Sequence, residues 1–170
     1  MPIDGCKHSF KTLATDILPR YMQRLQDDLQ SPEPMSRFAR DRVGPATLAK
    51  ELKRPSDFQG CYVLIEKKTP CYIGISRSVL SRLRQHVRGR SHFDASLAYR
   101  MACNGDDHGM KRAEAMKTEW FRKEFDKAQK RIQRMNAVFV EITNDLELHV
   151  FEAYAAMELK TAEWNTFRTH

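Results

Sequence analysis

Two short runs, Cys61-Tyr-Val-Leu-Ile-Glu66 and Cys71-Tyr-Ile-Gly-Ile-Ser76, constrain this chain more than any other feature. Each is dense in β-branched and aromatic residues, and only the polar Lys67-Lys68-Thr69-Pro70 separates them. Strand formers this close together, joined by a polar break, predict a β-hairpin. Directly afterwards Val79, Leu80, Leu83 and Val87 recur at helical spacing. Ser76 or Ser78 stands where that helix needs a cap, and Gly89 stands where it should stop. A hairpin feeding a helix that packs on it is therefore expected from Gly60 to Gly89.

The flanks read as mostly helical. From Ser9 to Gln30 the apolar positions Phe10, Leu13, Ile17, Tyr21, Leu25 and Leu29 predict a helix that Pro19 should start, kink or divide. Ser31-Pro-Glu-Pro is a break, and Met35 to Leu52 reads as one or two short helices interrupted at Gly44-Pro45. Beyond the hairpin, Asp94 to Ala102 is expected to be helical and Met110 to Arg134 a single long basic helix, with Trp120 and Phe121 anchoring it to the core. Residues 137 to 143 form a third strand, and Leu146 to Lys160 a last helix with Leu148, Phe151, Ala155 and Leu159 facing inward. The expected fold is α/β (α+β), with a small three-stranded, mainly antiparallel sheet flanked by helices. That domain spans 58–170 with a helical insertion at about 90–135, and residues 1–57 form an N-terminal helical arm.

Charge is unevenly spread. The net charge is +7, but residues 66–135 carry 17 Lys and Arg against 8 Asp and Glu, while residues 136–170 carry 2 against 6. A basic middle segment predicts a polyanionic partner held by salt-sensitive attraction. Four cysteines, Cys6, Cys61, Cys71 and Cys103, show no CxxC pair, so reduced thiols are expected, although Cys61 and Cys71 could face each other across the hairpin. Cys103 to His108 matches no usual zinc spacing and reads as a loop around Asn104-Gly. Without a long apolar run or an apolar leader, the expectation is a soluble cytoplasmic protein with no membrane partner.

The runs Gly60-Cys61-Tyr62 and Cys71-Tyr72-Ile73-Gly74, in a hairpin leading into a helix that bears Arg82, resemble the GIY-YIG nuclease family. The first motif reads GCY, the second CYIG, and Ile75 stands where a lysine or small polar residue is common. The resemblance implies an endonuclease that hydrolyses phosphodiester bonds, DNA in preference to RNA, using magnesium or manganese. It implies a catalytic set of Tyr62, Tyr72, Arg82, His86 and Glu152, with the metal on Glu152, and substrate contacts at Gly74, Arg84 and Asn165. Either Tyr62 or Tyr72 is the group that takes a proton from water, the family favouring Tyr62. The stretch from Gly89 to Met135 is longer than the family domain requires.

Apart from family, these residue types suit the chemistry. Arginine offers a planar fork of donors that matches phosphate, and magnesium commonly needs only one or two protein carboxylates. A phenol has an ordinary pKa near 10, so a tyrosine base needs a nearby positive charge. Glu152 sits four residues from Leu148 and three from Ala155, within an apolar stripe where an unpaired carboxylate is costly. The bland alternatives are packing tyrosines, a structural Arg82–Glu152 pair, a packed His86, and Asn165 as a turn residue. A noncatalytic nucleic-acid-binding module on the same fold is the alternative function. The N-terminal helices could serve self-association or a protein partner.

Overall fold

The computed structural model of the chain describes residues 2–104 and 109–167. A helical turn at Phe10–Thr12 passes through a wide π-type turn, Leu13–Ile17, into helix α1, Leu18–Asp28. Ser9 caps the entry, its hydroxyl accepting from the Thr12 amide at 3.1 Å. Pro19 lies in the first turn of α1, where a missing N–H is tolerated. Strand β1, Glu33–Pro34, is followed by a turn at Ser36–Ala39 and by α2, Pro45–Glu51, which starts on its proline. The hairpin is β2, Gly60–Glu66, and β3, Thr69–Ser76. Helix α3, Val79–Arg88, leads to α4, Ser96–Cys103, a turn at Arg112–Ala115, α5, Glu119–Gln133, strand β4, Asn136–Glu141, and α6, Asp145–Glu158.

Several expectations are corrected. The sheet has four strands in the order β1-β4-β2-β3, not three, because Ser31-Pro-Glu-Pro contributes a two-residue strand at the edge. An edge is where a proline-bearing strand can sit, since no neighbour needs its missing donor. The hairpin loop is only Lys67-Lys68, with φ of 48° and 71°, because Glu66 already pairs with Thr69. Two left-handed residues match the twist of the flanking strands, which shortens the loop expected over four residues. Cys71 is then the extra residue of a bulge between the Leu64–Tyr72 and Ile65–Pro70 pairs, and its thiol donates to Leu64 O at 3.4 Å. Cys61 stands opposite Ile75, so the two thiols do not face each other.

The basic helix expected from Met110 to Arg134 is also broken. Thr118 adopts an extended backbone at the entry to α5, and its hydroxyl donates to Ala115 O at 2.8 Å, closing the preceding turn. Of the two aromatics expected to anchor α5, Phe121 is fully buried but Trp120 is 47% exposed. The part of the Cys103 to His108 group at residues 105–108 lies outside the described residues.

The chain divides into two compact units. The first comprises the chain up to Glu33, Asp57–Val79 and the segment from Asn136 on; the second comprises Pro34–Ser56 and Leu80–Met135. Residues 1–57, expected as an arm, are thus shared between them.

In the first unit β2 is central, antiparallel to β3 and β4. Cys61, Val63, Ile65, Ile73, Val138 and Val140 form one face and join Leu18, Met22 and Leu25 of α1 with Leu148, Phe151 and Ala155 of α6 in a buried core. Strand alternation places Tyr62, Leu64, Tyr72, Gly74 and Phe139 on the other face. In the second unit α4 packs along α5, with the Tyr99 and Phe121 ring centroids 5.0 Å apart.

Candidate active site

The hairpin brings the two motif tyrosines together. Tyr62 pairs with Gly74 and Tyr72 with Leu64, so both side chains leave the same face one diagonal apart, and their ring centroids lie 6.2 Å from each other. Tyr62 is fully buried and Tyr72 is 9% exposed. The Tyr62 phenol lies across Gly74: a Cβ there would come within 2.3 Å of its hydroxyl oxygen. Glycine at this position is what lets the ring occupy that space.

Asn165 is drawn to the same strand. Its Oδ1 accepts from the Ile73 amide at 2.9 Å and its Nδ2 donates to the Ile73 carbonyl at 2.8 Å. The side-chain amide thereby pairs the outer edge of β3 between Tyr72 and Gly74, as a neighbouring strand would. Both ends of the amide are engaged by the backbone of Ile73.

Glu152 projects from α6 beside the buried Phe151, itself between buried and exposed. Its carboxyl is held above the usual range by burial, with His149 opposing the shift. Among the described residues Glu152 makes no hydrogen bond and no salt bridge. Its charge reaches Cys61, the residue before Tyr62, where burial first and Glu152 second push the thiol's pKa up.

A second carboxylate on α6 escaped the sequence reading. Glu147 is 7% exposed; Tyr21 donates to its Oε2 at 2.8 Å, and the Cys6 thiol and His8 Nε2 each approach Oε1 at 3.8 Å. Burial first, then the Glu147 contact, pushes the Tyr21 hydroxyl up to about 12. The backbone amide of Glu147 donates to Asn144 Oδ1 at 3.0 Å, capping α6. The signal was available, since Glu147, Phe151 and Ala155 recur at four-residue spacing, the same pattern that singled out Glu152.

Arg82, Arg84 and His86 lie on α3 within the second unit. Helix entry is set by Ser76, whose hydroxyl accepts from the Ser78 amide at 3.0 Å. The Arg82 guanidinium donates to Asp94 O and to Ser96 Oγ, each at 2.8 Å, and to Gln85 Oε1 at 3.1 Å. Its orientation is thus fixed by neutral acceptors, which leave its charge uncancelled. Arg84 donates to Phe38 O and Arg40 O, and burial, then the neighbouring Arg88 charge, lower its pKa. His86 is fully enclosed, and burial, then the Arg82 and Arg100 charges, hold it well below the ordinary histidine range. The enclosed imidazole is thus held in its neutral form.

Metal fit follows from the donor set. Among the described residues no three His, Cys, Asp or Glu side chains cluster as a multi-ligand site would need. A single half-buried oxygen donor without a protein partner suits a magnesium or manganese ion that keeps most of its waters, not zinc. No helix among the described residues is long and apolar enough to cross a membrane.

The family model of the GIY-YIG catalytic domain matches residues 58–160. No curated protein and no solved structure matches the chain. The match covers more than half of the sequence and contains the paired tyrosines, Gly74, Arg82 and Glu152, and the chain therefore belongs to the GIY-YIG nuclease family.

Proposed function

We propose that this protein is a metal-dependent endonuclease that hydrolyses phosphodiester bonds in DNA. The observation that carries the reading is Glu152, a half-buried carboxylate on a core helix with no hydrogen bond or ion pair among the described residues. Such a group is costly to keep unless a cation completes it. When bound to Glu152, magnesium or manganese would supply charge neutralisation at the phosphate and the leaving oxygen.

The chain's own residues divide the remaining work. Tyr62, reacting as its phenolate, accepts the proton of the attacking water and becomes the neutral phenol, and Tyr72, 6.2 Å away ring to ring and the more exposed of the two, orients that water or the phosphate. Water oxygen bonds to phosphorus as the bond to the leaving sugar oxygen breaks. Arg82 stabilises the extra negative charge on the phosphate oxygens, its guanidinium held by the neutral acceptors Asp94 O and Ser96 Oγ. His86 supports Arg82 from one helical turn below as a neutral group, and Gly74 makes room for Tyr62. Arg84 contacts substrate phosphate, while Asn165 holds the β3 edge.

The test is incubation with plasmid, branched and single-stranded DNA and with RNA, in magnesium or in EDTA. Magnesium-dependent cutting of DNA over RNA is expected. Tight binding of every substrate without cutting would instead identify a noncatalytic binding module.

A further inference from the structure

The positive charge belongs to one unit. The second unit holds 20 Lys and Arg against 9 Asp and Glu, and the first holds 9 against 13. Within the second unit lies an open cleft of about 500 Å³ whose walls include Pro45, Ser81, Arg84, Arg88, Arg90 and Asp94.

Three guanidiniums therefore share one cleft, with Asp41 and Asp94 as the carboxylates beside them. Arg88 pairs with Asp41 at 2.8 Å and donates to Ala39 O at 2.7 Å. The Asp94 carboxylate is engaged by Ser91 Oγ at 2.7 Å. Arg84 uses only Nη1, on the carbonyls of Phe38 and Arg40, which orient the fork without cancelling its charge. Among the described residues Nε and Nη2 of Arg84 and the whole Arg90 side chain make no hydrogen bond or ion pair. The backbone beneath Arg90 is nevertheless pinned: Arg122 donates to Arg90 O at 3.0 Å and Gln129 to Gly89 O at 2.7 Å.

Guanidinium forks with unused donors, the one on Arg84 held by two carbonyls and the one on Arg90 exposed, match phosphate oxygens. The lining, Pro45, Ser81, Gln85, Gly89 and the charged residues, holds no aromatic side chain on which a base could stack. That favours a sequence-independent backbone contact over recognition of a free nucleotide. We propose that Arg84 and Arg90 in this cleft grip a phosphodiester of the nucleic-acid strand that flanks the reacting one, a subsite outside the catalytic set. The inference rests on the nuclease reading above and names where its substrate is held.

The experiment is binding of a fluorescent DNA duplex to the full chain in EDTA across a salt series. Arg90→Ala should weaken binding on the order of tenfold and reduce the slope of log affinity against log salt by about one. Combining it with Arg84→Gln should reduce the slope by about two. Arg90→Lys, which keeps the charge on an exposed side chain, should retain the wild-type slope. Inorganic phosphate and a mononucleotide should displace the duplex no better than sulfate at equal concentration. Tight, Arg90-dependent capture of either small anion would overturn the strand assignment. A wild type that binds and cuts DNA while Arg90→Ala keeps its affinity and slope would sink the subsite alone. A wild type that binds no nucleic acid would sink the subsite together with the nuclease reading.

Discussion

The hydroxyl of Tyr62 lies over Gly74, its register partner on the neighbouring strand, where a methyl group would approach to 2.3 Å. The second motif thus shapes the position of the first motif's tyrosine. Gly74→Ala should push the ring out of place, costing about 1–3 kcal/mol of stability by overcrowding and on the order of 10²-fold in kcat through misplacement. Urea unfolding and plasmid nicking measure the two separately. An alanine variant with wild-type nicking would show that the location of Tyr62 is immaterial to the reaction.

The Tyr21–Glu147 hydrogen bond ties α1 to the start of the helix that carries Glu152. Tyr21→Phe leaves a buried carboxylate short of its main donor and should cost about 1–3 kcal/mol in urea unfolding. Because the bond holds the base of α6, the variant should also need more magnesium for half-maximal nicking. Unchanged stability and unchanged magnesium dependence would remove any role for this contact.

Much of this arrangement was legible in the chain itself. The paired runs announced the hairpin, and the family resemblance they carry marked Arg82 on the helix that follows. Harder to read were features decided by tertiary context. The two-residue Lys67-Lys68 loop lacks the glycine or asparagine that normally signals left-handed turns, and the resulting bulge at Cys71 followed from pairing. Strand β1 was hidden because Pro34 makes up half of it and Pro32 precedes it. The partners of Glu147, namely Tyr21, Cys6 and His8, lie more than a hundred residues away in sequence, and sequence distance conceals such contacts. His86 shares a helix face with Arg82, but only the structure reveals that it is fully enclosed.

That enclosure has a pH consequence. His86 is held well below the ordinary histidine pKa in the folded chain, chiefly by burial, so the unfolded chain binds its proton more readily. The associated stability is present above about pH 6.5 and is lost as pH falls below that value, by up to about 1.4 kcal/mol per unit. Urea midpoints at pH 7.5 and 5.5 should differ more for wild type than for His86→Gln. An identical pH dependence in the two proteins would place the acid sensitivity elsewhere.

Asn165 is expected to act through the strand it braces. Asn165→Ala removes both bonds to Ile73 and should cost about 1–3 kcal/mol, with hydrogen exchange at the Ile73 amide rising selectively. Exchange that rises evenly across β2 and β4 as well would indicate global loosening instead.

Glu152 is the residue proposed to hold the metal on which cutting depends. The direct measurement is the initial rate of plasmid nicking against magnesium concentration for wild type, Glu152→Gln and Glu152→Ala, each checked for folding by its urea midpoint. Wild type should show saturable, EDTA-sensitive nicking, and both folded variants should fall by about 10³-fold or more without recovery at high magnesium. A folded Glu152→Ala protein that nicks as fast as wild type with the same magnesium dependence would show that Glu152 does not hold the metal.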